Sequence, residues 1–451
     1  MVLAARFVPS QPSRVPDWVP GWRSLYGERL RNAVHGVAEP AFDALHRETR
    51  LLHMRMHLVN SPTMIGHVLQ GNQANYPRPP LARQIVRPFI GEGLLTAEGP
   101  SWKLQRRIVA GAFTPAAVTQ LTGLMHDAAR RQVETWPTSP ARIDLAEQAT
   151  QLTMAVIADA LFAGDPRLTA PEGCAHIARI IFATGQPRPL TVLGLGQFDP
   201  SPGQIAVRRS ARWLRNRIGA LVTDHAQDGS SGFFAGLIRA LRAEYPREQA
   251  DALALDNALT FFVAGHETTA VALAWGAYLL ATQPELREQL RAEAVAALAQ
   301  PPESLPRHVP LLRQFLDETM RLYPPVVQIT RQALADDEID GVRVRKGDYM
   351  AIYPWLVHRH RRLWDDPDAF DLTRFAPENR AKQHRFQYLP FGAGPRICVG
   401  MRFAETEALV ILAHWLGARR FRLPEGAAPL PCGSITLRPR DGMMLDVAPL
   451  G

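Results

Sequence analysis

The sequence predicts a mainly helical protein with small β-sheets, and three observations carry that expectation. Apolar residues recur at helical spacing through the middle of the chain, above all in one long run over 250–282. Short alternating stretches stand near the start, at 51–59, and late, at 332–353. No repeat, linker or low-complexity tract divides the 451 residues. The chain therefore reads as one domain, 1–451, with a proline-rich leader, 1–24, lying on its body.

The leader holds Pro9, Pro12, Pro16 and Pro20 where a signal peptide or anchor needs an apolar run, and Trp18 and Trp22 are expected to rest on the protein. In 51–59, Met54, Met56 and Leu58 alternate with His53, Arg55 and His57, so the strand is half-buried and its histidines are expected on the solvated face. Ser61 before Pro62 is a helix start, with serine as cap and proline at the first helical position. Proline and glycine crowd 72–93, which reads as a long loop. Asp144 caps a helix carrying Leu152, Ala155, Val156 and Ala160 on one face, and 228–232 marks a turn. The long helix closes before Pro284, two more helices precede Tyr323-Pro324-Pro325, and Asp340-Gly341 is a hairpin turn among the late strands.

Composition excludes several classes. Apolar residues make up 46% and charged residues 21%, as in ordinary globular proteins. The three cysteines, Cys174, Cys398 and Cys432, are far apart and lack CxxC spacing, which argues against a disulfide scaffold or structural zinc site and for a reducing, cytoplasmic setting. The formal charge is +8, and the only lysines are Lys103, Lys346 and Lys382. Its arginines are interspersed with acids and form no aromatic–basic repeat, so nucleic acid is not the expected partner; the charge leaves open a basic docking face for an acidic protein. No stretch approaches the ~18 consecutive apolar residues of a membrane span, and no membrane anchor is expected.

The decisive segment is Phe391-Gly392-Ala393-Gly394-Pro395-Arg396-Ile397-Cys398-Val399-Gly400. Two glycines and a proline make a tight turn, and a single cysteine then stands just ahead of a helical run from Met401. Unpaired N–H groups at a helix start favour a thiolate there. A structural cysteine in a glycine-rich turn is one rival. A dinucleotide fingerprint is another, but Gly392 and Gly394 lack its third glycine, as does Gly194-Leu195-Gly196.

This loop resembles the haem-binding loop of the cytochromes P450 at Phe391, Gly392, Gly394, Arg396, Cys398 and Gly400. The resemblance implies the fold of that family, with haem buried between the long central helix and the helix after the Cys loop. It implies Cys398 as iron ligand, Phe391 packed beside it, and Arg396 on a haem propionate. A thiolate ligand pushes electron density onto iron and favours O–O cleavage.

Further motifs follow in the same order as in that family. Ala264-Gly265-His266-Glu267-Thr268-Thr269 lies midway along the long helix. A helical glycine costs about 1 kcal/mol relative to alanine, and the Thr268 hydroxyl can bond the Ala264 carbonyl and loosen the helix. The stretch resembles the family's oxygen-binding groove, which implies Glu267 and Thr268 as the acid–alcohol pair that relays protons and Ala264 against the haem; His266 receives no role. Glu318 and Arg321 share a helix face, and with Arg374 they resemble a buried structural ion network. Trp102 with Arg106, and Arg331, resemble propionate partners.

Taken together, the resemblance implies a soluble, bacterial-type monooxygenase that puts one oxygen atom from O2 into a hydrophobic small molecule such as a fatty acid, terpenoid or steroid. Its cofactor is haem b. Electrons from NAD(P)H arrive through a ferredoxin, or flavodoxin, and its reductase, and the protein is expected to be a monomer. The implied pocket comprises Phe261, Phe262, Ala264, Val326, Val327 and Ile435, all apolar. A haem-thiolate peroxygenase or isomerase, and a haem-based gas sensor or carrier, remain the alternatives.

Overall fold

A 36-residue helix, Arg247–Thr282, is the central element of the structure, a computed structural model that describes residues 7–20, 27–51, 54–162, 199–225 and 232–450, with 173, 176, 179 and 180 between them. The helix is apolar on nearly every side, as one enclosed by other elements must be; Leu259, Phe262 and Trp275, pointing in different directions, are all fully buried. It stops where Pro284 follows: Gln283 is driven to φ −124°, ψ 73°, outside the helical region. Leu145–Phe162 packs against its middle, after Asp144 Oδ1 accepts the Ala146 N–H at 2.9 Å. A Cβ on Gly265 would stand 2.8 Å from Ile157 Cδ1, and Thr153 Oγ1 donates across the same contact to the His266 carbonyl at 3.0 Å. Close helix packing, rather than a loosened helix, is thus what requires this glycine. Pro202–His225, Phe233–Glu244, Pro310–Leu322 and Met401–Ala418 also pack on the central helix.

The sheets are small. One has four strands in the order His46–Leu51, Met54–Val59, Tyr349–Ile352, Ile329–Gln332, with only the middle pair parallel. Another joins Arg419–Arg422, Met444–Pro449 and Ala141–Asp144, tying the end of the chain to its middle. Asp337–Ile339 and Val342–Val344 form a hairpin across Asp340 (φ 51°) and Gly341 (φ 76°), the paired left-handed residues that a tight hairpin turn demands. A second hairpin pairs Pro431–Gly433 with Leu437–Pro439. Ser61 Oγ accepts from the Met64 N–H at the start of Pro62–Gly66, as a cap should.

Two expectations need correction. The stretch 72–93 is not a loop throughout: Pro80–Ile90 is a helix, with Pro80 where its missing N–H costs nothing and Leu81, Ile85, Val86 and Phe89 at helical spacing. Counting prolines hid that spacing. His57 is fully buried, not solvated, because its strand is internal to the sheet and Asp348 covers that face; His57 Nε2 lies 3.1 Å from Asp348 Oδ2 and Nδ1 lies 2.9 Å from His46 Nε2. The leader touches the body at Ser10, which bonds Tyr278 and Tyr323 (3.0 and 2.7 Å), and at Trp18, beneath the Arg47 guanidinium. Trp22, His53, Cys174, Gly194-Leu195-Gly196 and Asp228 lie outside the described residues.

Candidate active site

The thiol loop is held by its backbone. Gly392 and Gly394 have φ of 71° and 69°, and a Cβ on Gly394 would collide with the Leu69 carbonyl oxygen at 1.9 Å. Only glycine fits there. The Cys398 N–H donates to the Phe391 carbonyl at 2.9 Å, and Met401–Ala418 starts three residues later. Cys398 is exposed, yet protein crowds it closely, so its accessible surface faces an internal space and not the outer surface. Burial pushes the thiol up from its ordinary value, opposed by the Gly400 N–H and then by the Arg106 guanidinium.

Beside the loop stands a cluster of guanidinium groups. Arg396 pairs with Glu98, donates to the Ala97 carbonyl at 3.2 Å, and lies over the Trp102 ring at 4.2 Å. Arg78 is pushed down to about 9, by burial first and then by Arg396 and Arg331; Arg331 is pushed down to about 10, by burial and then by Arg396. The carboxylate these three share is Glu98. The cluster thus gathers net positive charge around one carboxylate, with Arg331 buried and Arg78 and Arg396 half-buried, an arrangement that an anionic group relieves. An accessible thiol at a helix start and neighbouring cations are the donor set for a haem, with its thiolate-binding iron and anionic propionates. Arg106 is drawn to the thiol rather than to this cluster. Arg78 was not foreseen, since nothing local distinguishes one arginine in a proline-rich stretch.

Phe113 joins the loop to the central helix. It lies 3.8 Å from where a Gly400 Cβ would stand, and its ring meets those of Phe261 (6.0 Å), Phe233 (5.6 Å) and Phe403 (6.3 Å). Further along that helix Ala264 is exposed although the helix is otherwise mostly buried, and Thr268 Oγ1 donates to its carbonyl at 3.0 Å. Glu267 instead turns to the 431–439 hairpin, where Thr436 Oγ1 donates to it at 3.0 Å and Arg438 forms an ion pair. His266 is buried with Nδ1 2.5 Å from the Phe262 carbonyl, and burial pushes it down.

The six candidate pocket residues divide. Ala264 and Ile435 are exposed and Val326 is half-buried, paired with Thr436. Phe262 is fully buried against His266; two residues from Ala264, it points to the opposite face of the helix, and the structure does not bring it to the pocket. Phe261 and Val327 are also buried, the first in the aromatic cluster, the second against Gly433.

Glu318 and Arg321 are fully buried and bidentate, at 2.6 and 2.7 Å, with Arg374 Nε 3.7 Å from Glu318. A cleft of about 1000 Å³ lined by Arg142, Arg287, Arg420 and Phe421 contains none of the site residues. Among the described residues no single helix is long and apolar enough to cross a membrane.

Comparison with known proteins agrees with this geometry. The cytochrome P450 family model matches residues 46–445. Cyclooctatin synthase of Streptomyces melanosporofaciens is 30% identical over 411 residues, covering 89% of this chain and 87% of that protein. Leukotriene-B4 omega-hydroxylase 3 of Mus musculus is 28% identical over 397 residues, covering 81% and 75%. The crystal structure of the cytochrome P450DA haem domain superposes with a TM-score of 0.79 at 24% identity, covering 98% of both chains, and shows the shared fold. With a thiol loop, a cationic cradle and a family match spanning most of its length, the chain belongs to the cytochrome P450 family of haem- and O2-dependent monooxygenases.

Proposed function

We propose that this chain is a bacterial, cytoplasmic, monomeric monooxygenase that hydroxylates a hydrophobic small molecule of fatty-acid, terpenoid or steroid type. The observation that carries the reading is the Cys398 thiol, accessible at a helix start beside three guanidiniums that share one carboxylate. Haem b, when bound, supplies the iron at which O2 is activated. Cys398 holds that iron as thiolate, with Arg106 beside it favouring the ionised form, while Phe391 and Gly400 shape the loop around it. Arg396, Arg331 and Arg78 take the propionates, and Trp102 fixes the Arg396 plane. Thr268 donates to Ala264, which leaves its oxygen free to accept a proton donor, and Glu267 is the acid next to it. Apolar Ala264, Val326 and Ile435 favour an apolar substrate, in keeping with relatives named for leukotriene B4 and for cyclooctat-9-en-7-ol.

The test is titration of the haem-loaded protein with fatty acids, terpenes and steroids, followed by turnover with surrogate ferredoxin and NAD(P)H reductase. A hydroxylated product is expected from at least one compound that shifts the haem spectrum. No spectral response across all three classes would overturn the substrate assignment. In the same assay Thr268→Ala is expected to keep binding and lower product formed per NAD(P)H about tenfold, with hydrogen peroxide making up the difference. Unchanged coupling removes Thr268 from the mechanism.

Electrons come from a separate ferredoxin or flavodoxin with its reductase. Lys103 and Arg107 are exposed on Gly99–Ala110, the helix that carries Arg106, and offer a basic face to an acidic donor. Arg107 already pairs with Glu244 at 2.8 Å, so Lys103 is the cleaner probe. Lys103→Glu is expected to slow reduction by ferredoxin about threefold or more at low ionic strength, and to lose that effect in high salt. Equal rates at low salt place docking elsewhere.

A further inference from the structure

The Glu267 carboxylate is held by two groups of a single hairpin. Thr436 Oγ1 donates to Oε1 at 3.0 Å, and Arg438 pairs with the same oxygen. Glu267 and Thr436 are buried, whereas Arg438 is about a third exposed (32%). Among the described residues Arg438 has no other carboxylate partner. The hairpin is fastened along both strands. Asn32 bonds Pro431 and Gly433 at 2.9 and 2.8 Å, and the Leu437 carbonyl accepts from Trp275 Nε1 at 2.7 Å. The turn between the strands is held as well, on either side of the Val326–Thr436 bridge: the Ser434 N–H donates to the Thr436 carbonyl and the Leu437 N–H to the Pro325 carbonyl, both at 3.1 Å. There Ile435, 39% exposed, has a backbone carbonyl held only by a 3.3 Å bond from the Val327 N–H. One peptide unit therefore separates an exposed apolar side chain from the hydroxyl that holds the acid.

We propose that this turn is a latch: an apolar ligand pressing on Ile435 displaces Thr436 and Arg438 and frees the Glu267 carboxylate, so that the acid becomes available only when the pocket is filled. Arg438 is then a positioning residue acting through Glu267. The inference rests on the assignment of Glu267 and Thr268 as the proton-handling pair. The physical content is linkage. A ligand that must break the Glu267–Arg438 pair binds more weakly by the free energy of that pair, and removing the pair in advance tightens binding. A merely structural Arg438 predicts the reverse.

The experiment is a spectral titration of the haem-loaded protein and involves no turnover. The probes are 1-dodecylimidazole, whose ring takes the iron and whose alkyl chain fills the pocket, and imidazole, which lacks the chain. Arg438→Gln is expected to tighten 1-dodecylimidazole about fivefold, leave imidazole unchanged, and be reversed by Arg438→Lys. Adding Glu267→Gln to Arg438→Gln is expected to bring no further gain, as for two halves of one interaction. Thr436→Val is expected to act in the same direction more weakly, and it serves if Arg438→Gln does not take up haem. Unchanged or weaker 1-dodecylimidazole binding with imidazole intact overturns the latch, as does an equal change for both ligands, which would locate the effect at the iron. Because no proton moves in this titration, its failure is separate from failure of the Thr268→Ala coupling test.

Discussion

Replacing Cys398 with alanine is expected to abolish the red-shifted Soret band of the reduced carbonyl complex, the spectral mark of a thiolate ligand, while Cys432→Ala and Cys174→Ala leave it intact. The effect is all-or-none because the band reports one bond, iron to sulfur, and the three thiols are not interchangeable. Cys398 has accessible surface facing inward and lies beside Arg106 at a helix start. Cys432 sits on the far hairpin with its Sγ 3.8 Å from the Arg31 carbonyl. Haem uptake by Cys398→Ala is expected to persist in part, since Arg78, Arg331 and Arg396 are untouched, and this separates loss of the ligand from loss of the fold. A Cys398→Ala protein that keeps the band would falsify the site.

What the sequence disclosed was local, and what it hid was mostly distant. The central helix is legible because an apolar run and Pro284 lie in the same stretch of chain, and Ser61, Asp144 and Asp340-Gly341 work within four residues of themselves. The 80–90 helix was missed because proline at a first helical position and proline in a loop look alike when counted. His57 was misplaced because alternation assigns two faces but cannot say whether a partner such as Asp348, 291 residues away, covers the polar one. Phe262 was placed in the pocket by the family resemblance, although two residues of helix separate it from Ala264 and carry its side chain to the opposite face. Arg78 and Arg438 gave no signal. Arg438 owes its place to Glu267, 171 residues off, and Arg78 stands beside Arg331 and Arg396 from distant parts of the chain; only folding makes an arginine at such a site different from an ordinary surface one. The loop itself was legible because a close backbone approach dictates residue type: Gly394 stands against the Leu69 carbonyl, and no other side chain fits.

Arg321→Ala is expected to cost about 3–5 kcal/mol, enough to remove much of a typical domain's stability, because it leaves a buried charge and several buried acceptors without partners. A guanidinium has five N–H donors, and at Arg321 all are used. Nε and Nη2 reach the Glu318 carboxylate at 2.6 and 2.7 Å, Nη1 reaches the His358 and Pro367 carbonyls at 2.9 and 2.6 Å, and Nη2 also reaches Ala369 at 2.8 Å. Glu318 in turn accepts the Asp371 N–H at 2.8 Å, so one side chain fastens the Pro310–Leu322 helix to the segment 358–371. Lysine has three donors on a flexible stem and cannot reproduce the fork, so Arg321→Lys is expected to fail as well. Arg130, which is exposed and pairs with Asp127 and Glu134 on its own helix, is the control, and Arg130→Ala is expected to leave the urea midpoint unchanged. The measurements are the urea midpoint and haem content of the purified proteins. An Arg321→Ala protein with the parent's midpoint and full haem would show that the network is not what joins the helix to its neighbouring segment.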